Sequence, residues 1–248
     1  MRDLLSQLLR FAELEYTLRK LEVPEALRKL VVPCESEDKP DYYAVDSGYV
    51  VQKIGSFDVL IQSIVAVGRE VRRRFLIKKV VEDVHTEARR REIRFAESID
   101  ADIVLVDGPL TPYVGVTRVI GVSKDPRLVR YGPRIEDDAT RDLFVRLSKR
   151  WGEREVAGAL LASAPAGSYL LPVDIGGLRG TFFKSEWVLY VEFPKNLSAD
   201  ALCALFKRYP VRLRVAHHLA KIGREYVKSV RAVLSSLMGA SLHFRDIL

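Results

Sequence analysis

Cysteine is nearly absent: the 248 residues include two, Cys34 and Cys203. They lack the Cys-x-x-Cys spacing of a zinc site or redox pair, so neither is suggested. The expectation is two reduced, partly buried thiols in a reducing compartment. No stretch approaches about 18 uninterrupted apolar residues, so no membrane span is expected. The first ten residues start an amphipathic helix without a signal-peptide cleavage pattern, and a cytoplasmic location follows as the expectation. There is no internal repeat, low-complexity tract or obvious linker, which favours one domain.

Apolar residues make up 48% of the chain, enough for one substantial core. Lys and Arg number 40 against 33 Asp and Glu, a net charge of +7 that suits a polyanionic partner without establishing one. Abundant Arg, Glu and Val fit a heat-adapted protein.

Leucines at helical spacing, among them Leu4, Leu8, Leu14, Leu18 and Leu21, predict an N-terminal helical arm over residues 1–34. After a polar loop at 35–41 the pattern turns to strands. Tyr43–Asp46, Tyr49–Ile54, Val59–Val67 and Arg72–Val81 read as successive strands, with turns at Ser47-Gly48, Gly55-Ser56 and near Gly68. Asp83–Ile99 reads as a helix, and the apolar run Ile103–Asp107 as a central strand ending in an acid. Val116–Val122 is a further strand candidate. Residues 136–163 look helical with a break at Gly152, and a basic, glycine-rich segment at 176–184 precedes a strand at Val188–Phe193. Ser198 caps a helix to Arg208, and a long closing helix runs from Leu213 to Leu237 after Pro210. The expected fold is α/β, a mixed sheet covered by helices, with its core at 40–238.

Asp46 and Asp107 each close an apolar run and precede turn formers, Ser47-Gly48 and Gly108-Pro109. Acids at the ends of neighbouring strands suit a hard divalent cation with oxygen ligands, although Asp before Gly is also a common turn former. Glu92 falls within roughly 30° of the centre of its helix's apolar stripe. A core-facing carboxylate needs either a metal or a paired arginine, and both readings stay open. On the closing helix His217, Lys221, Arg224 and Lys228 share a sector of roughly 60°, beside an apolar face of Leu219, Gly223, Tyr226 and Val230. The three cations could track a phosphate backbone while His217 ligates metal or handles a proton; a solvated helix flank explains the charges equally well. His218 points elsewhere, to solvent.

These ordered features over residues 40–225 resemble the NurA nuclease family: Asp46, a helix with Glu92, Leu105-Val106-Asp107-Gly108-Pro109-Leu110, Gly121-Val122-Ser123-Lys124, and Tyr209-Pro210 with Ala216-His217 following. The resemblance implies an RNase H-like fold and metal ligands Asp46, Glu92, Asp107 and His217. It gives Tyr209 a positioning role and places Lys124 in a Ser-Lys motif. It further implies one or two manganese or magnesium ions, single-strand endonuclease and 5′-to-3′ exonuclease activity on DNA, and a homodimer. The implied partner in double-strand break end resection is a HerA-type hexameric translocase. Two departures stand out: Asp-Ser-Gly replaces the usual Asp-Gly-Ser at Asp46, and Gly-Pro replaces Gly-Ser after Asp107. Two other functions compete. An actin-like phosphotransferase would use glycine turns at Asp46-x-Gly48 and Asp174-x-Gly176-Gly177. A non-catalytic DNA-binding or assembly subunit would use the basic face alone.

Overall fold

The structure, a computed structural model, describes residues 22–54, 56–80, 83–124, 126 and 129–245. The leucines at 4–21 that predict the helical arm lie outside the described residues. So does Gly55 of the predicted Gly55-Ser56 turn. In chain order the elements are β1 (Val31–Val32), β2 (Tyr43–Ile54), β3 (Phe57–Val67), β4 (Val71–Lys79), α1 (Val84–Glu97), β5 (Val104–Asp107) and β6 (Ile120–Ser123). Next come α2 (Asp138–Trp151), α3 (Glu153–Leu161), β7 (Tyr169–Leu170), β8 (Val173–Asp174), β9 (Leu178–Lys184) and β10 (Val188–Pro194). Helices α4 (Ala199–Cys203), α5 (Val211–Ala220) and α6 (Arg224–Arg245) complete the chain. The fold class is α/β, with mixed pairing and helical cover as expected. Two compact units make it up: 41–114 with 211–248, and 1–40 with 115–210. Each combines segments distant in sequence, so no linker marks them.

In the first, the meander unit, β2, β3 and β4 form an antiparallel meander, and β5 joins the free edge of β2 in parallel, Ala44 opposite Leu105. A parallel neighbour requires a crossover, and α1 supplies it. The helix begins where the Asp83 carboxylate accepts the Thr86 N–H at 2.8 Å, and its buried residues, Ala88, Glu92, Ile93 and Ala96, recur at helical spacing. Side chains alternate along β2, so Asp46 and Gly48 face α5 whereas Ser47 faces α1.

Two expectations change here. Asp46 does not end a strand: β2 runs unbroken through Ser47-Gly48. A Cβ on Gly48 would lie 2.5 Å from the Ala220 carbonyl oxygen, so glycine is there because the end of α5 crosses the strand closely, not because the chain turns. The closing helix is also not continuous. It breaks at residues 221–223, and the buried face of α5 is Leu213, Ala216 and Ala220, packed against Val65 and Val67. Leu219, Gly223 and Tyr226, expected on an apolar face, are exposed.

In the second, the hairpin unit, strands run in the order β1-β7-β9-β10-β6 with antiparallel pairing, and β8 lies beside β9. Phe144, Phe182, Phe183 and Phe193 are fully buried in its core. Gly152, at φ +95°, separates α2 from α3 where the break was expected. The basic segment 176–184 contains strand β9, which glycine content had masked; Gly180 faces the Tyr190 hydroxyl, 2.4 Å from where a Cβ would stand. The helix capped by Ser198 ends at Cys203 and continues as a 3-10 turn to Lys207. Cys34 and Cys203 are not free thiols. Folding brings their Cα atoms to 5.6 Å across a separation of 169 residues, and they form a disulfide. Among the described residues no helix is long and apolar enough to cross a membrane.

Candidate metal centre

Three of the four expected ligands converge, all in the meander unit. Asp46 projects from mid-β2 toward α5, Asp107 stands at the end of the parallel neighbour β5, and His217 lies on α5 beside the buried Ala216. One donor atom from each falls within 4.8 Å of the others. His217 Nδ1 is 2.7 Å from Asp46 Oδ2 and 3.9 Å from Asp107 Oδ2. Asp46 is buried, and its other oxygen accepts the Ser47 N–H at 2.7 Å, which fixes the carboxylate's rotation. The His217 side chain is 52% exposed, so the group opens to solvent on the α5 side.

Two carboxylate oxygens and an imidazole nitrogen are a donor set for manganese or a similar borderline-hard cation. Adjacent corners of an octahedron with ~2.1 Å bonds are about 3 Å apart, and the 2.7 and 3.9 Å separations from His217 bracket that value. The residues therefore fit such an ion.

Glu92 is held differently. It is 4% exposed, its Oε1 accepts Arg89 Nη1 at 2.8 Å and its Oε2 accepts the Ser47 hydroxyl at 2.9 Å. It is not one of the three converging donors, and the paired-arginine alternative describes its contacts. Burial pushes its carboxyl up to about 7, with Arg89 opposing the rise and the nearby Asp46 charge adding to it. Gln62, buried in β3, donates to both Ser47 Oγ at 3.1 Å and the Ala88 carbonyl at 2.8 Å, tying β2 to α1. Sequence reasoning missed Arg89, Ser47 and Gln62. The i,i+3 spacing of Arg89 and Glu92 was a signal for the first; nothing local marks the other two.

Lys124 and Tyr209 belong to the hairpin unit. Lys124 Nζ sits 4.7 Å from the centroid of the Tyr209 ring, and the Trp187 ring lies 5.5 Å from it. The Tyr209 N–H donates to Glu186 at 3.2 Å. Lys221 falls in the break after α5, whereas Arg224 and Lys228 lie on α6; all three are exposed, and Lys228 pairs with Glu225 at 2.9 Å. The stripe they were expected to share with His217 is split between two helices. His218 is exposed, as expected. Asp174 pairs with Lys195 and accepts the Gly176 N–H at 2.8 Å, so its turn is already closed upon itself.

A helix-covered mixed sheet with acids from two adjacent strands and a histidine above them is the arrangement expected of an RNase H-like fold. The NurA domain family model matches residues 40–222. The chain belongs to the NurA family of nucleases. No curated protein matches it. Among solved structures, NurA with manganese is 12% identical, with 97% of this chain and 98% of that one covered and a TM-score of 0.56. NurA bound to dAMP and manganese is 13% identical, with 91% and 94% covered and a TM-score of 0.50. The NurA nuclease from Sulfolobus solfataricus is 13% identical over 99% and 98%, with a TM-score of 0.49.

Proposed function

We propose that this chain is a metal-dependent deoxyribonuclease, a phosphodiester hydrolase using one or two manganese or magnesium ions. The convergence of Asp46, Asp107 and His217 within 4.8 Å carries this reading. The solved structure of NurA bound to dAMP and manganese supports the choice of substrate and cation. When bound, the ion lowers the pKa of water and offsets charge developing on the scissile phosphate. Asp46 and Asp107 supply the negative field that holds it. His217 ligates it or moves a proton at Nδ1. Glu92, beside Asp46, adds a third acid, one that is partly protonated near neutrality. Tyr209, backed by Lys124 and Trp187, positions substrate, and Lys221, Arg224 and Lys228 contact its phosphates.

The finer activity we assign is single-strand endonuclease and 5′-to-3′ exonuclease cleavage during double-strand break end resection. The chain acts as a homodimer with a HerA-type hexameric translocase, in the cytoplasm. The matched segment 40–222 draws on both compact units, which we treat as one nuclease domain. A disulfide fits a cytoplasmic protein of a heat-adapted organism, where such bonds are common, and the composition agrees. The test is end-labelled single- and double-stranded DNA incubated with manganese or with chelator. Cleavage only with manganese is the expected result; equal cleavage in both, or ATP hydrolysis with intact DNA, overturns the proposal.

A further inference from the structure

The guanidinium of Arg89 does more than neutralise Glu92. Its side chain is 11% exposed, and it makes four hydrogen bonds, of which one reaches a carboxylate. The other three go to backbone carbonyls of a single turn: Nη1 to Asp107 O at 2.5 Å, Nε to Pro109 O at 3.2 Å and Nη2 to Pro109 O at 2.9 Å. Between those carbonyls lies Gly108, at φ +94°, where a Cβ would stand 3.4 Å from Arg89 Nη2. The carbonyls therefore line the in-plane edge of the fork, and the left-handed backbone between them is one that glycine adopts without strain. A compact ammonium could pair with Glu92 but could not bridge both carbonyls.

We propose that Arg89 is a positioning residue: by gripping the Asp107-Gly108-Pro109 turn it aims the Asp107 carboxylate at Asp46 and His217, and so sets the divalent-cation affinity of the group. This rests on the metal-centre reading above. Asp107 closes β5 and Gly108 forms one further bridge before the chain leaves the sheet, so the hold of Arg89 on the Asp107 and Pro109 carbonyls bears on the direction of the Asp107 side chain. Arg89 is rooted in α1, the crossover that precedes β5, and links the helix to the turn. Partners that orient a ligand from behind typically alter metal affinity by about 10–100-fold when removed.

The experiment titrates manganese into the full chain without DNA, by calorimetry and by loss of the free-manganese paramagnetic signal, alongside thermal unfolding in chelator. Arg89→Lys, which keeps the charge and loses the fork, is expected to bind manganese about 10–100-fold more weakly while unfolding cooperatively. Excess manganese is expected to restore its cleavage, raising kcat toward that of the parent. Arg91→Lys, two positions along α1 and paired with Glu87, is expected to bind as the parent does. Should Arg89→Lys fail to fold, Gly108→Ala disturbs the same turn from its other side with Arg89 intact, and it is expected to weaken binding by a similar factor. Parental manganese affinity in folded Arg89→Lys, or in folded Gly108→Ala, overturns the proposal and leaves the nuclease reading standing. A parent that binds no manganese overturns both.

Discussion

The two units bury their carboxylates in opposite ways. In the hairpin unit Glu153, at the start of α3, accepts three backbone N–H groups: Arg130 at 2.9 Å, Tyr131 at 3.0 Å and Gly132 at 2.6 Å. Glu192, fully buried in β10, accepts Arg130 at 2.6 Å. In the meander unit, Asp46 and Asp107 approach one imidazole nitrogen, and Glu92 adds a third acid beside Asp46. A buried acid surrounded by donors is a structural element, because its charge is compensated on folding. Acids turned toward one another raise the local negative potential, and a cation offsets it. Glu153, Glu192 and Glu92 are alike in burial and each is held by donors; Asp46 and Asp107 stand apart because both approach the same imidazole nitrogen.

The largest expected effect breaks the comparison at Asp107. Asp107→Asn preserves shape and removes charge, and should slow manganese-dependent DNA cleavage by about 100-fold or more, since several kcal/mol of charge stabilisation leaves with the ion. Its chemical denaturation midpoint should stay near that of the parent; parental activity in the folded variant removes Asp107 from the centre. Glu153→Ala should show the reverse pattern. Three buried N–H groups are left without their acceptor, and urea unfolding should report destabilisation by about 3 kcal/mol. Manganese titration of the folded protein should be unaffected, and a change there would erase the distinction between the units.

Glu92 sharpens the comparison through pH. Its carboxyl ionises near 4.5 when exposed and at about 7 when folded, with burial the main cause. Between those values the folded state holds a proton that the unfolded state has released. Metal-free stability should therefore fall as pH rises from about 4.5 to about 7, by roughly 1–3 kcal/mol, and level off above. Glu92→Gln should flatten that slope in denaturation curves collected with chelator; an unchanged slope assigns the titration to another group. The smallest effect belongs to the exposed cations. Replacing Lys221, Arg224 or Lys228 by Gln should reduce the salt dependence of DNA binding by about one unit of slope for each phosphate no longer neutralised, with the chemical step unchanged. A slope that never moves makes these residues a solvated helix flank.

The elements of this fold were legible where local chemistry is decisive. The Ser198 cap, the recurring apolar positions of α1, the Val104–Val106 run and Gly152 all act within a few residues, and each lies where the pattern placed it. Asp107 was readable as a strand end, and Glu92 as a buried acid, for the same reason. Errors fell where a residue serves a distant neighbour. Gly48 resembles a turn glycine in sequence and is instead the floor under Ala220, while Gly180 makes room for Tyr190. Cys34 and Cys203 carry no trace of each other along the chain.

Periodicity and capping thus placed the meander strands, β5, β10 and most helices from the sequence, though not β1, β7, β8 or β9, because these forces span one turn or one pleat. The meeting of Asp46 with His217, 171 residues on, was left to tertiary structure, as was the division of labour between Glu92's arginine and the carboxylates beside it. Those depend on which faces pack together, and the packing of faces is a property of the assembled chain.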